Sequence, residues 1–478
     1  MTRRAALLKR PHMQVLLDHP EIEALSDTEI RVLEGFMRFC AEHRLADPNG
    51  GDVRAWCRLD NVASDSLPEL AAALRRLGVG SDLLNDLEIA HSAQDRKARF
   101  RGVPKGATRT FKRVVSVPLA DLPDDWQRTL RRLRFGEAYA PSIMTRMESR
   151  LGMFVWSAKR AGCPVDLADT VALRALYSDL RDRSITRQRE SARKRGLKDD
   201  VDTPRWAYLR STWEELRRFA CAHGMPDELW DKLTVTYSVL VTKEGRQAAE
   251  KFAKAEAAGT RTELLKNAEA MLVLAGNIDC PHIRHAMRNR AAAIALGCGI
   301  PARSADVLVH HRFGVGISYE PHRNAYRFRY TANKTAGSTG VRIDVPLLPW
   351  WNKFIDALIL QDDDPRYLGS LRAMLIAQQR PLYVHYDGTP ATYAWYSRMW
   401  SIVTGTGGHI ARTLIYDDAI EQGAEGIQYA RLLNGHAPTS PIVQSYESER
   451  LRRERVLQAQ SAMAVLFGDD EEDLADWD

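Results

Sequence analysis

The chain has 478 residues, too many for one ordinary hydrophobic core, and length alone suggests about two to four domains. A hydrophobic share of 45% beside 27% charged residues excludes a disordered or fibrous chain and fits a soluble globular one. The formal charge of +6 hides an asymmetry: the last ten residues hold seven acids and no base, so the rest of the chain carries +13. A basic body with an acidic tail points to a polyanionic partner, most often nucleic acid.

The first ten residues are charged around a four-residue apolar stretch, so no secretory signal is expected. The longest apolar run, around residues 291–300, is about half of the ~20 residues that cross a bilayer. The six cysteines lie far apart, none in C-x-x-C spacing and none with histidines at zinc spacing. A reduced cytosolic setting is therefore expected, with no metal and no other cofactor.

In chain order, the first two-thirds read as helical. Ser26-Asp27-Thr28-Glu29 forms a capping box, followed by Leu33, Phe36, Met37 and Cys40 at helical spacing. Asp47-Pro48-Asn49-Gly50-Gly51 breaks that pattern, and Leu70, Leu74 and Leu77 stripe another helix closed by Gly78. Residues 1–95 thus read as a separate N-terminal helical module, an addition whose removal leaves the chemistry intact. Residues 96–113 read as a basic linker, a DNA-contacting arm or a solvated loop, carrying Arg96, Lys97, Arg99, Arg101, Lys105, Arg109, Lys112 and Arg113.

A second helical module spans 114–270. Ser142 is placed to cap a helix with Ile143, Met147, Leu151, Phe154 and Ala158 on one face. Another helix buries Trp206, Leu209, Trp213, Leu216 and Ala220; these aromatic stripes read as core rather than as platforms for bases. Between the two lies the basic stretch 181–198, whose Arg187, Arg189, Arg193, Lys194 and Arg195 are candidate phosphate contacts. A polar helical stretch runs over roughly 243–270.

After about residue 275 the texture changes. Residues 290–298 form an apolar helix, and 325–330 and 341–345 alternate as two strands around the turn-rich 333–340, a β-hairpin. Helices resume from 350 to about 467. The last of these, 447–467, is amphipathic and suited to pack in cis or on a second protomer. The expected class is mainly α with a small antiparallel β-sheet.

In this last region six polar residues follow in an order that one reaction uses. Arg303 begins a helix, with Asp306 one turn later to hold it, and Lys334 falls in the hairpin turn. His409 and Arg412 stand three apart, on one helical face. His436 closes Leu432-Leu433-Asn434-Gly435-His436, and Tyr446 comes ten residues later. Such a set suits phosphoryl transfer without a metal. Two arginine forks bind the non-bridging oxygens that gain charge in the transition state. A phenol, with an ordinary pKa near ~10, needs that cationic pocket to lose its proton. The leaving 5′-oxygen needs a general acid, which a lysine supplies.

In these residues the chain resembles the tyrosine recombinase or phage-integrase family, over roughly 275–455. The resemblance implies Arg303 and Arg412 as phosphate clamps, Lys334 as general acid, and His409 and His436 as phosphate donors or proton handlers. It further implies Tyr446 as the nucleophile that forms a 3′-phosphotyrosine. Its domain plan places a SAM-like core-binding module at 114–270, a catalytic domain at 271–455, and a helix end with the acidic tail at 456–478. Its partner is a double-stranded DNA recombination site, bound by a tetramer on two sites, with sister recombinases or accessory proteins as further partners. Integration, excision or transposition, as by a mobile genetic element, and dimer resolution all stay open.

The sequence departs from the family pattern in places. Two extra residues stand in Gly299-Ile300-Pro301-Ala302-Arg303, Thr413 follows Arg412 where histidine is common, and Asn434 is inserted before Gly435. A DNA-binding protein that kept this fold without turnover is the alternative from another class. A type IB topoisomerase or telomere resolvase is the alternative within enzymes.

Overall fold

A computed structural model describes residues 3–102, 115–194, 200–247, 250–333, 342–419 and 423–436. They fall into two compact units: 115–247 form one, and 3–102 together with 250–436 form the other. The chain is mainly helical, with one three-stranded antiparallel sheet. Among the described residues no single helix is long and apolar enough to cross a membrane.

The 115–247 unit is built from helices Asp124–Phe135, Pro141–Ala161, Thr170–Lys194, Trp206–His223 and Asp227–Arg246. Their apolar stripes meet in one core, where the Trp126 ring lies 5.9 Å from Phe154 and 5.3 Å from Phe219. Leu209, Trp213, Leu216 and Ala220 are buried there, as their spacing predicts. One local expectation is corrected. Ser142 does not cap: Pro141 already occupies the first helical turn after Ala140, so Ser142 lies inside the helix. The basic stretch 181–198 lies between helices Pro141–Ala161 and Trp206–His223 as expected, and its residues up to Lys194 continue helix Thr170–Lys194. Buried polar groups anchor that helix: Ser157 Oγ donates to Asp179 at 2.6 Å, and Ser184 Oγ accepts the Arg205 N–H at 2.8 Å.

The other unit begins with helices Asp27–Glu42, Gly50–Leu59, Ser66–Arg76 and Ser81–Gly102. The capping box forms as read, with Glu29 N–H on Ser26 Oγ at 3.2 Å and Ser26 N–H on the Glu29 carboxylate at 2.7 Å. Asn49 caps the next helix, which is how the Asp47–Gly51 break ends. These helices are not a separate module. Arg58 donates to Ile359 O at 2.8 Å and Leu360 O at 3.0 Å and pairs with the Asp363 carboxylate. Those carbonyls end helix Asn352–Leu360 and have no acceptor duty within it, so a guanidinium satisfies them and complements the helix dipole. Asp52, fully buried, binds Arg366 and Tyr367, and the Phe39 and Tyr367 rings stack at 5.8 Å. One continuous apolar core therefore runs from Met13 through Leu87 to Leu414, and the expected boundary at 95 is a chain position, not a domain edge.

Two further boundaries move. The first residues of the expected basic linker, up to Gly102, prolong helix Ser81–Gly102; 103–114 lie outside the described residues. The break after the second module falls near 248–250 rather than 270. Helices Glu250–Ala258 and Arg261–Gly276 belong to the larger unit, where Arg261 pairs with Asp418 at 2.7 Å.

Helix Pro281–Gly299 is apolar on every side over its second half, because it runs through the middle of this core. Gly297 is required there: a Cβ would lie 2.3 Å from the Trp400 ring. The sheet follows as β1 (Ile317–Glu320), β2 (Ala325–Thr331) and β3 (Arg342–Pro346), in that order. The hairpin pairs in register Arg329↔Asp344, and Arg327 bridges all three strands through Asp344 at 2.6 Å and Glu320 at 3.0 Å. β1, four residues long, is too short to show an alternation in the sequence.

Candidate active site

After helix Pro281–Gly299 the backbone extends through Pro301 and turns at Arg303, the N-cap position of helix Ser304–His310. Asp306, in the first turn, places one carboxylate oxygen 3.7 Å from Arg303 Nη1. Its other oxygen accepts the backbone N–H of Asn333 at 2.9 Å. One buried carboxylate thus holds both the arginine and the base of the hairpin turn. Arg303's side chain keeps 27% exposure against 3% for Asp306, so the cation reaches solvent while its counter-ion does not. His310 supports the same corner, with Nε2 2.9 Å from Asn333 Oδ1 and its ring stacked on Tyr330 at 5.3 Å.

Arg412 lies on helix Ala411–Ala419 and is buried. Nη1 donates to Pro301 O at 3.0 Å, and Nη2 donates to Asn434 O at 2.6 Å and to His436 Nε2 at 3.0 Å. A buried cation demands such acceptors, and here they come from both flanks of the site. The Pro301 contact ties Arg412 to the backbone two residues before Arg303. His436 is delivered by the end of helix Gly423–Asn434. Gly435 adopts φ 61°, its N–H bonds Leu432 O at 3.0 Å, and the His436 N–H bonds Arg431 O at 2.9 Å. This pair of bonds is a Schellman cap, and only its left-handed glycine turns the next residue back onto the helix. The imidazole then meets Tyr416, with Nδ1 2.7 Å from the phenol oxygen and the two rings 14° from parallel.

The electrostatics link these groups. Burial first, and Asp306 next, push the Tyr330 phenol well above its usual pKa, while Arg412 and Arg303 pull against them. Both arginines and the acid therefore act on one phenol.

The structure brings Arg412 and His436 into contact, pairs Arg303 with Asp306, and joins the two pairs through the 301–303 backbone. His409 is different. It occupies a short 3₁₀ turn, Gly408–Ile410, before the helix that carries Arg412, so the two do not share a helical face as expected. His409 is exposed where Arg412 is buried, because the tighter turn swings it away from the core. Partial desolvation, and the Lys254 ammonium nearby, hold its imidazole below the usual pKa. Lys334 and Tyr446 lie outside the described residues, Lys334 directly after the anchored Asn333.

Of the expected phosphate contacts, Arg96 and Lys97 are exposed on helix Ser81–Gly102, with the Lys97 ammonium 5.5 Å from the centre of the Tyr386 ring. Arg99 and Arg101 are on the same helix. Arg187, Arg189 and Arg193 are exposed on helix Thr170–Lys194, which also carries Lys194; Arg189 donates to Val201 O at 2.8 Å. Lys105, Arg109, Lys112, Arg113 and Arg195 lie outside the described residues.

Sequence reasoning missed Tyr416, Asn333 and the carbonyls of Pro301 and Asn434. Tyr416 stands four residues after Arg412, a spacing visible in the sequence, but a tyrosine on a buried helical face reads first as core. Compared with known proteins, the chain matches no family model and no curated sequence.

Proposed function

We propose that this chain is a site-specific tyrosine recombinase, integrase- or transposase-like, that cuts and rejoins duplex DNA through a covalent 3′-phosphotyrosine. The observation that carries the reading is the Arg412–His436 contact beside the Arg303–Asp306 pair, with Asp306 also holding the turn residue before Lys334. Arg303 and Arg412 bind the non-bridging oxygens of the scissile phosphodiester. The Tyr446 oxygen bonds to phosphorus as its proton passes to an acceptor in the site. The bond from phosphorus to the 5′-oxygen breaks, and the Lys334 ammonium protonates that oxygen. Each step exchanges one ester bond for another, so neither ATP nor water enters. Pre-aimed donors of this kind each contribute on the order of 10²- to 10³-fold in rate. The basic residues of 96–113 and 181–198 supply sequence-independent, salt-sensitive affinity for the duplex. The working assembly is a tetramer on two DNA sites.

The test is recovery of covalent protein–DNA adducts under denaturing conditions from cells expressing the full chain, followed by sequencing of the attached DNA. Adducts at defined sequences are expected from the wild type and none from Tyr446→Phe. Equal recovery from both, or none from the wild type, overturns the reading.

A further inference from the structure

His436 has two ring nitrogens and two very different neighbours. On one side, Arg412 Nη2 lies 3.0 Å from Nε2. A guanidinium only donates and stays charged in proteins, so Nε2 faces it with a lone pair. A proton on Nε2 would set two donors, and in the charged ring two cations, against each other in a buried site. The neutral imidazole therefore carries its proton on Nδ1. That nitrogen is 2.7 Å from the Tyr416 hydroxyl oxygen, the acceptor for this N–H. The tautomer is thus assigned from the hydrogen-bond network. Tyr416 itself is fully buried beside Ile415, Ala430 and Leu433, which fixes its ring and leaves the hydroxyl aimed at His436.

We propose that Tyr416 is a positioning residue that fixes His436 in its Nδ1–H form and keeps the Nε2 lone pair as the proton acceptor of the site. This deepens the recombinase reading and rests on it for the catalytic consequence, though the tautomer itself does not. His436 then works as an acceptor rather than as a phosphate donor. A phosphate oxygen that enters takes the Arg412 Nη2 hydrogen and frees Nε2. The attacking phenol passes its proton to Nε2, giving an imidazolium whose Nδ1–H stays on the Tyr416 oxygen. A helix end delivers His436 and a helix face fixes Tyr416, so the ring cannot turn without breaking its bonds to Arg412 and Tyr416.

The test uses the full chain labelled with ¹⁵N-histidine, with long-range ¹H–¹⁵N correlation spectra and His436→Gln to assign the resonance. A protonated Nδ1 and a bare Nε2 are expected for wild-type His436. In Tyr416→Phe the single tautomer is expected to give way to a mixture, with melting checked alongside. Covalent adduct formation should fall about tenfold to a hundredfold, the scale on which partners of functional imidazoles act. A wild-type His436 protonated at Nε2 overturns the proposal without any variant, as does a Tyr416→Phe protein with an unchanged spectrum. The expected spectra in a protein that forms no adduct with DNA would instead break the recombinase reading and leave the Tyr416 assignment standing.

Discussion

Two arginines far apart in the chain bind the ends of helices in nearly the same way. Arg58 donates to the Ile359 and Leu360 carbonyls, and Arg412 donates to the Asn434 carbonyl and to Pro301 O. They differ in the next partner: Arg58 meets the Asp363 carboxylate, and Arg412 meets the His436 imidazole. A carboxylate cancels a guanidinium's charge, whereas an imidazole accepts a hydrogen bond and leaves the charge in place. The first arrangement fastens two segments of one core. The second holds a cation ready beside a titratable ring, which is what a phosphodiester site requires.

Removing residues 1–90 gives the strongest test of Arg58's side of this comparison. Read from sequence, those residues are an addition that cleavage does not need. The structure makes them about a third of a continuous core, with Phe39 on Tyr367 and the buried Asp52 bound to Arg366 and Tyr367. Deletion is therefore expected to abolish cooperative melting of the larger unit and, with it, adduct formation. A truncated chain that melts cooperatively and still forms adducts would show that the Arg58 contacts are incidental.

Single substitutions divide the two arginines more finely. Arg412→Lys keeps the charge but loses the fork, so adduct formation should fall on the order of 10²- to 10³-fold. Arg58→Ala leaves Asp363 buried without its cation, although burial already holds that carboxyl above its usual range despite Arg58. Arg58's side chain keeps 23% exposure, which places the expected loss at about 3 kcal/mol, the low end for a broken buried pair. Denaturant melting measures that loss, and adduct yield per folded molecule at low temperature should be unchanged. If both substitutions lower melting alike and leave adduct formation alike, Arg412 is an anchor of Arg58's kind and the site reading fails.

The sequence carries these two regions unequally. The capping box at Ser26, the hairpin strands and the order Arg303, Asp306, Arg412, His436 are local patterns, fixed by spacing or by caps, and they are legible without a structure. The joining of the first hundred residues to the region after 275 is not, because it depends on Arg58 finding carbonyls some three hundred residues away. Nor is the partner of His436. Gly435 announces a helix end, but only folding shows that the turn it permits brings the imidazole to Arg412 and Tyr416. His409 shows the reverse failure: H-x-x-R spacing implies one helical face, and a 3₁₀ turn of three residues is enough to undo it.

His311 supplies a buried imidazole to set against His436. It packs between Phe328, at 4.8 Å, and Tyr330, at 5.4 Å, and neither ring nitrogen has a hydrogen-bond partner. Burial, reinforced by His310, depresses its pKa from 6.5 to about 3. The unfolded chain binds this proton below about pH 6.5, and the folded chain refuses it until about pH 3. Stability therefore has its full value above the unfolded pKa and falls as the pH drops through that window. Between pH 6.5 and about pH 5 the loss from this residue is about 2 kcal/mol. His311→Phe, an apolar ring of similar size, should remove that part of the pH dependence while sparing stability near pH 8. Denaturant melts of both proteins at the two pH values measure the difference. Equal acid sensitivity in the two would mean that His311 finds a proton partner when folded, and the contrast between a stranded imidazole and the bonded His436 would disappear.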